Sequence, residues 1–236
     1  MVGVTLLLGA TLVALGVLTA SVGTVVDGHA ARADADRVAA DLSDGLRPVE
    51  TTGHYRAPVA FSEGRLATVE RDLRVLERDA TGDEDEAATV AVGALVYDRG
   101  ERRVGSVAGA VVRGRGEGSW TVDPPPITGS ESAGVLVVGA AKLNASGESV
   151  GGSQLTATLA TNVSHERRSL GTGKFSVAVE TAAPAALEAA LRDRGATTVE
   201  RRDIDGDGVV SVVAEFPGTR TAYLVVHDLR LVVSDG

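Results

Sequence analysis

The sequence predicts a mainly β protein in which a long amino-terminal transmembrane α-helix is followed by a β-sandwich-like antiparallel head holding one short helix. Three observations predict it. No charged residue occurs from Val2 to Val26. Valine-rich runs alternating with polar residues fill the chain beyond about residue 49, and one stretch, Pro184 to Gly195, carries apolar residues at helical spacing.

The uncharged run comes first. Its 25 residues, as a helix rising ~1.5 Å per residue, reach ~37 Å, enough to cross a ~30 Å hydrocarbon layer. A lone segment can satisfy its backbone in lipid only as a helix. Beyond the run, Asp27, Asp34, Asp36, Asp41 and Asp44 outnumber Arg32, Arg37 and Arg47. Cytoplasmic flanks are usually basic, so this acidic flank predicts a single-pass cell-membrane protein with its amino terminus inside and its carboxy-terminal domain outside. Ala10 with Ala14, and Gly16 with Ala20, are small pairs that let helices approach closely. Ala31, Ala35, Val38 and Leu42 continue the helical spacing until Gly45 and Pro48. One helix is therefore expected over residues 1–46, with residues 47–236 forming an extracellular β-rich head.

Within the head, strands are expected at Pro58–Phe61, Leu66–Leu76, Thr89–Tyr97, Arg103–Val112, Gly134–Ala140, Leu155–Val163, Phe175–Glu180, Thr197–Arg202, Val209–Phe216 and Ala222–Val233. Leu66–Leu76 also fits a helical face. Asp98–Glu101 reads as a hairpin tip, Thr81–Glu86 and Gly114–Gly118 as exposed loops, and Pro124, Pro125 and Pro126 as a break between strand groups. For the short helix, Pro184 suits the first turn, Leu187, Ala190 and Leu191 make a face, and Gly195 suits the exit.

Composition narrows the function. Apolar residues make 44% and charged residues 23% of the chain, a globular balance. The net charge of −9 argues against a broad nucleic-acid surface, and 3% aromatic residues argue against base-stacking platforms. The absence of cysteine excludes disulfides, thiol catalysis and thiolate metal sites. Of the 23 basic residues only Lys142 and Lys174 are lysine, and an acidic surface of this kind suits high salt.

Two motifs carry candidate sites. Asn144 and Asn162, the chain's only asparagines, each open an N-x-S sequence and are candidate glycosylation sites. Asp203, Asp205 and Asp207, in Asp203-Ile204-Asp205-Gly206-Asp207-Gly208, match the opening of a Ca2+ loop, in which alternating carboxylates converge on a hard cation. The twelfth position holds Ala214 where such a loop needs a glutamate, and the flanks are strand-like, so a hairpin turn is the preferred reading. Gly171-Thr172-Gly173-Lys174 is followed by Phe175 and does not make a phosphate loop. His29, His54, His165 and His227 are scattered, and no cofactor or catalytic set is expected.

An apolar amino-terminal run beginning Val2-Gly3-Val4-Thr5-Leu6-Leu7-Leu8, an amphipathic continuation and a β-rich head together resemble type IV pilin-like proteins, including archaeal pilins and archaellins. The head segments ETTGHYRAPVAFSEGRLATVERDLRVL, GVLVVGAAKLNAS, TNVSHERRSLG and DIDGDGVVSVVAEFPG look like those of a haloarchaeal pilin-like family of unassigned activity. Thr5 stands in the region where bacterial pilins carry an assembly glutamate. The resemblance implies a non-enzymatic structural subunit, a minor pilin or pseudopilin, that partners the lipid bilayer and like subunits through its first helix and binds no nucleic acid. The rival readings are a signal-anchored surface protein that binds through its head without assembling, and a membrane-tethered hydrolase.

Overall fold

A computed structural model describes residues 26–46, 51–78, 82–145 and 148–235. Helix α1, residues 26–46, is followed by strands β1 (Gly53–Val69), β2 (Asp72–Arg78), β3 (Glu84–Ala91), β4 (Ala94–Arg99), β5 (Arg102–Val107) and β6 (Ala110–Arg113). Then come β7 (Trp120–Asp123), β8 (Ile127–Ser130), β9 (Val135–Lys142) and β10 (Ser149–Glu180), helix α2 (Pro184–Asp193), and strands β11 (Thr198–Arg202), β12 (Ser211–Glu215), β13 (Arg220–Asp228) and β14 (Val232–Asp235).

The 32-residue β10 organises the sheet. Its first part pairs with β1, from Gly53 opposite Val163 to Ala67 opposite Ser149. Its middle pairs with β13, and its last residues lie between β2 and β12. One strand thus serves three sheet segments. The two walls so formed enclose a sandwich-like core: Val96, Val107 and Val112 from the β4–β6 wall meet Leu73, Val75, Leu136, Val138, Phe175, Val177 and Leu224 from the other, with Leu187 and Leu191 of α2 among them.

Alternation explains the second core. Leu95 and Tyr97 of β4, and Leu159 and Val163 of β10, point to the opposite face, where Ala35, Val38, Ala39, Leu42 and Leu46 of α1 cover them. Helix α1 therefore belongs to the folded head along its last three turns. Gly45 is read in the sequence as a helix breaker; in the fold it lies where α1 meets β1, and a Cβ there would come within 2.8 Å of the Ala57 Cβ.

Polar contacts reinforce this docking. β4 covers β1 only from Arg65 to Val69, leaving one edge of the earlier β1 residues without a strand partner. Carboxylates of α1 take that role. Asp41 Oδ2 accepts the Ala60 N–H at 3.1 Å, and Asp34 accepts the Ser62 N–H at 3.1 Å and its hydroxyl at 2.6 Å. Arg99 closes an ion pair on Asp34, whose side chain is 4% exposed. Burial would raise the Asp34 pKa, but the Ser62 hydrogen bonds and the Arg99 charge outweigh it and hold the carboxyl below its ordinary value.

Three expectations are corrected. Residues 26–46 carry five aspartates and two arginines, and among the described residues no helix is long and apolar enough to cross a membrane. The expected transmembrane fold and single-pass localisation therefore lack a spanning element in the described structure, because α1 turns its apolar stripe to the sheet and its charges to solvent and to β1. The run Val2–Val25, with the packing positions Ala10, Ala14, Gly16 and Ala20, lies outside the described residues. Nor is the head wholly antiparallel: β9 and β13 pair in parallel from Val135 opposite Thr221 to Lys142 opposite Asp228. The long excursion through β10, α2, β11 and β12 supplies the crossover that a parallel pair requires. Finally, Glu84–Glu86, expected in a loop, begin β3, where Arg78 opposite Glu84, and Arg74 at 3.8 Å from Glu86, offset their charge.

Candidate functional site

Strands β3, β2, the end of β10, β12 and β11 form an antiparallel quintet in that order. One face meets the main core. On the other, alternation places Arg74 and Arg78 of β2, Glu180 of β10, Ser211 and Val213 of β12, and Glu200 and Arg202 of β11. Leu76, Ala178 and Val213 make a small apolar cluster there, against which Ile204 packs from the β11–β12 connection.

Arg74 is the centre of this face. Its side chain is only 5% exposed, and its guanidinium donates to Glu180 Oε1 at 2.7 Å, to Asp72 Oδ2 at 2.8 Å and to Asp205. Glu86 stands 3.8 Å away, and Glu180 Oε2 also accepts the Asp72 N–H at 2.9 Å. Burial would lower the arginine's pKa, but the Glu180 hydrogen bond and the surrounding carboxylates raise it. Asp72 moves the other way from the usual paired carboxylate. Burial and the Glu180 charge raise its pKa above the ordinary value, against the opposing pull of Arg74.

A second network adjoins it. Glu84 bridges Arg78 at 2.9 Å and Arg202 at 2.7 Å, and Arg78 also reaches Glu215 at 3.1 Å. Although burial would raise it, the hydrogen bonds from the two guanidiniums hold Glu84 below its ordinary pKa. The Ser211 hydroxyl, on a residue 1% exposed, has no hydrogen-bond partner among the described residues.

Beside Arg74 opens a cleft of about 420 Å³, lined by Arg71, Asp72, Lys142, Asn144, Asp205 and Asp207 among others. Two sequence motifs far apart in the chain meet there. The aspartates of the first do not converge on one point. Asp203 accepts the N–H groups of Gly206 at 2.8 Å and Gly208 at 3.0 Å, Asp207 accepts that of Val209 at 2.8 Å, and Asp205 turns to Arg74. Asp72, Glu180 and Asp205 do bring carboxylate oxygens within 4.8 Å of one another, but the Arg74 guanidinium already supplies the positive charge between them. The arrangement pins a charged loop to a sheet face, and it leaves a polar cleft able to bind through charge and hydrogen bonds.

The two asparagines differ in setting. Asn144 is exposed after β9, in a left-handed conformation with φ of 50°, and its side chain donates to Asp228 Oδ2 at 3.4 Å. Asn162 sits inside β10 opposite His54, and its N–H donates to the Leu229 carbonyl at 2.8 Å. Asn144 is therefore the more exposed of the two.

Sequence reasoning missed Arg74, Glu180 and Asp34. In D-L-R-V-L-E-R, Leu73 and Val75 mark the inward positions, so Arg74 reads as solvent-facing; the connection at 203–208 that covers it is distant in sequence. Asp34 and Asp41 did leave a signal, being seven residues apart and flanking the stripe of Val38 and Leu42.

Asp72 supplies a test of these electrostatics. A carboxyl whose folded pKa is raised contributes stability below its unfolded value, and that stability is lost as pH rises through the folded value. At neutral pH the ionised Asp72 is thus a burden on the fold. Asp72→Asn removes the charge and keeps an oxygen for Arg74, so its melting temperature at pH 7 should equal or exceed that of the parent, by no more than about 1 kcal/mol of stability. A drop of several degrees in thermal denaturation would reject this account.

The fold and this face define a β-sandwich-like domain with an amphipathic helix docked on its outer wall. The chain belongs to the family described as "Family of unknown function (DUF7289)", whose model matches residues 1–232. No curated protein and no solved structure matches it.

Proposed function

We propose that this chain is a pilin-like structural subunit, joined to like subunits through its amino-terminal segment and presenting its β-rich head to its surroundings. One observation carries this reading: α1 lies along β1 with its apolar stripe in the head's second core and its carboxylates on the strand edge. The head is thereby built onto the helix that continues the apolar run Val2–Val26. An uncharged, apolar run of this length is driven by the hydrophobic effect to pack against its like. The docked helix transmits that packing to the head as one body. Asn144, exposed beside the cleft, suits a glycan on such a displayed head.

The test is assembly of the purified full chain, followed by sedimentation and negative-stain electron microscopy. Filaments or helical bundles are expected, and a variant with Leu6, Leu7 and Leu8 all replaced by aspartate should sediment as a monomer with an unchanged circular dichroism spectrum in the β region. A parent chain that remains monomeric at every concentration, or a triple variant that assembles equally well, defeats the proposal.

A further inference from the structure

The structure assigns a second site, independent of subunit assembly: we propose that His165 and His227 form a cis bis-imidazole site for a divalent transition-metal ion of the copper(II) or nickel(II) class. The two residues lie 62 positions apart in sequence and meet because β10 and β13 pair in the register that sets His165 opposite His227. Their Nδ1 atoms are 2.9 Å apart, and their rings stand nearly perpendicular at 83°.

The separation of the nitrogens selects the geometry. Metal–imidazole bonds are ~2.0–2.1 Å long, so two nitrogens at ~90° on one ion lie ~2.9 Å apart, whereas a tetrahedral angle puts them at ~3.4 Å. The observed 2.9 Å fits adjacent positions of a square-planar or tetragonal ion. Imidazole ligation in that geometry belongs to copper(II) and nickel(II), with copper(II) the tighter by the usual order of divalent affinities.

The backbone holds the pair in place. β13 is flanked by β10 on one side and β9 on the other, so His227 sits on a central strand, while His165 lies on a stretch of β10 whose pairing among the described residues is with β13. His165 is exposed and His227 half-buried. Arg167 stacks on Tyr223, with its guanidinium carbon 4.4 Å from the ring centre, on the side of the strand pair remote from His227. The net charge of −9 favours the approach of a cation.

Proton accounting is simple. In the metal-free pair one ring donates its Nδ1 proton to the other's Nδ1 lone pair. On binding, the donor ring becomes its Nε2–H tautomer, both Nδ1 lone pairs turn to the metal, and no net proton is released.

The test is titration of the full chain with copper(II), followed by electron paramagnetic resonance and the visible ligand-field band. One ion per chain with hyperfine structure from two nitrogens is expected. His165→Gln and His227→Gln should each weaken binding more than ~tenfold, while His54→Gln, on β1, should leave it unchanged; nickel(II) should compete less strongly than copper(II). Absence of copper binding to the parent chain overturns the proposal, as does parental affinity in both variants. Should a variant fail to fold, the unaltered chain provides the same reading: copper should protect His165 and His227, but not His54, from diethyl pyrocarbonate. Equal modification of all three overturns it.

Discussion

Arg74→Ala is expected to destabilise the protein by about 3–5 kcal/mol, which for a chain of this size lowers the melting temperature by roughly 6–20 °C. The loss does not come from the strength of an ion pair as such, since a buried pair often contributes little net stability. It comes from what remains behind. Glu180, with its side chain 9% exposed, would be left without the Arg74 guanidinium, next to Asp72. Asp205 would lose the contact that holds the 203–208 connection on the sheet, and Ile204 its support over Leu76, Ala178 and Val213. The double variant Arg74→Met, Glu180→Met removes both charges together and should recover most of the stability. Chemical denaturation of the parent, Arg74→Met, Glu180→Met and the double variant measures the coupling. A single variant costing less than about 1 kcal/mol would show that the network is solvent-relaxed and holds nothing.

Asp34→Ala is expected to cost a similar amount, again about 3–5 kcal/mol at neutral pH, and to loosen α1 from β1. Three donors lose their acceptor at once: the Ser62 N–H, the Ser62 hydroxyl and Arg99, whose side chain is 12% exposed. The pH dependence has a defined sign. Because the folded pKa of Asp34 is lowered, its contribution is complete above the unfolded value of 3.8 and disappears as pH falls through the folded value. The stability gap between parent and variant should therefore be flat at higher pH and narrow below about pH 4. Hydrogen exchange adds a local reading, with the Ala60 and Ser62 amides losing protection ahead of those paired only between β1 and β10. A gap independent of pH would mean that Asp34 acts through packing and not through its charge.

Much of the fold was legible because strand alternation is a local property. The hairpin tip at Asp98–Glu101 falls between β4 and β5, the prolines at 124–126 fall between β7 and β8, and α2 runs from Pro184 as its spacing indicates. Leu66–Leu76, ambiguous by period, resolves into the end of β1 and the start of β2, separated at Glu70 and Arg71. The fusion of the expected strands Leu155–Val163 and Phe175–Glu180 into one β10 was not legible. Between them Ser164–Gly173 is polar and mostly exposed, and residues of that kind read as a loop unless a partner strand is known. β13 is that partner, and the same pairing creates the His165–His227 contact from histidines that look scattered.

The sequence alone determined that this is a valine-rich β head preceded by an amphipathic helix and an uncharged run, and that disulfide and thiolate chemistry are absent, because pattern and composition need no knowledge of the third dimension. Only the tertiary structure decided that α1 is part of the head, that Asp205 answers to Arg74 while Asp203 and Asp207 tie their own loop, and which histidines meet. Apart from the local ties of Asp203 and Asp207, those are contacts between residues dozens to more than a hundred positions apart. They depend on strand register and sheet order, which no local periodicity encodes.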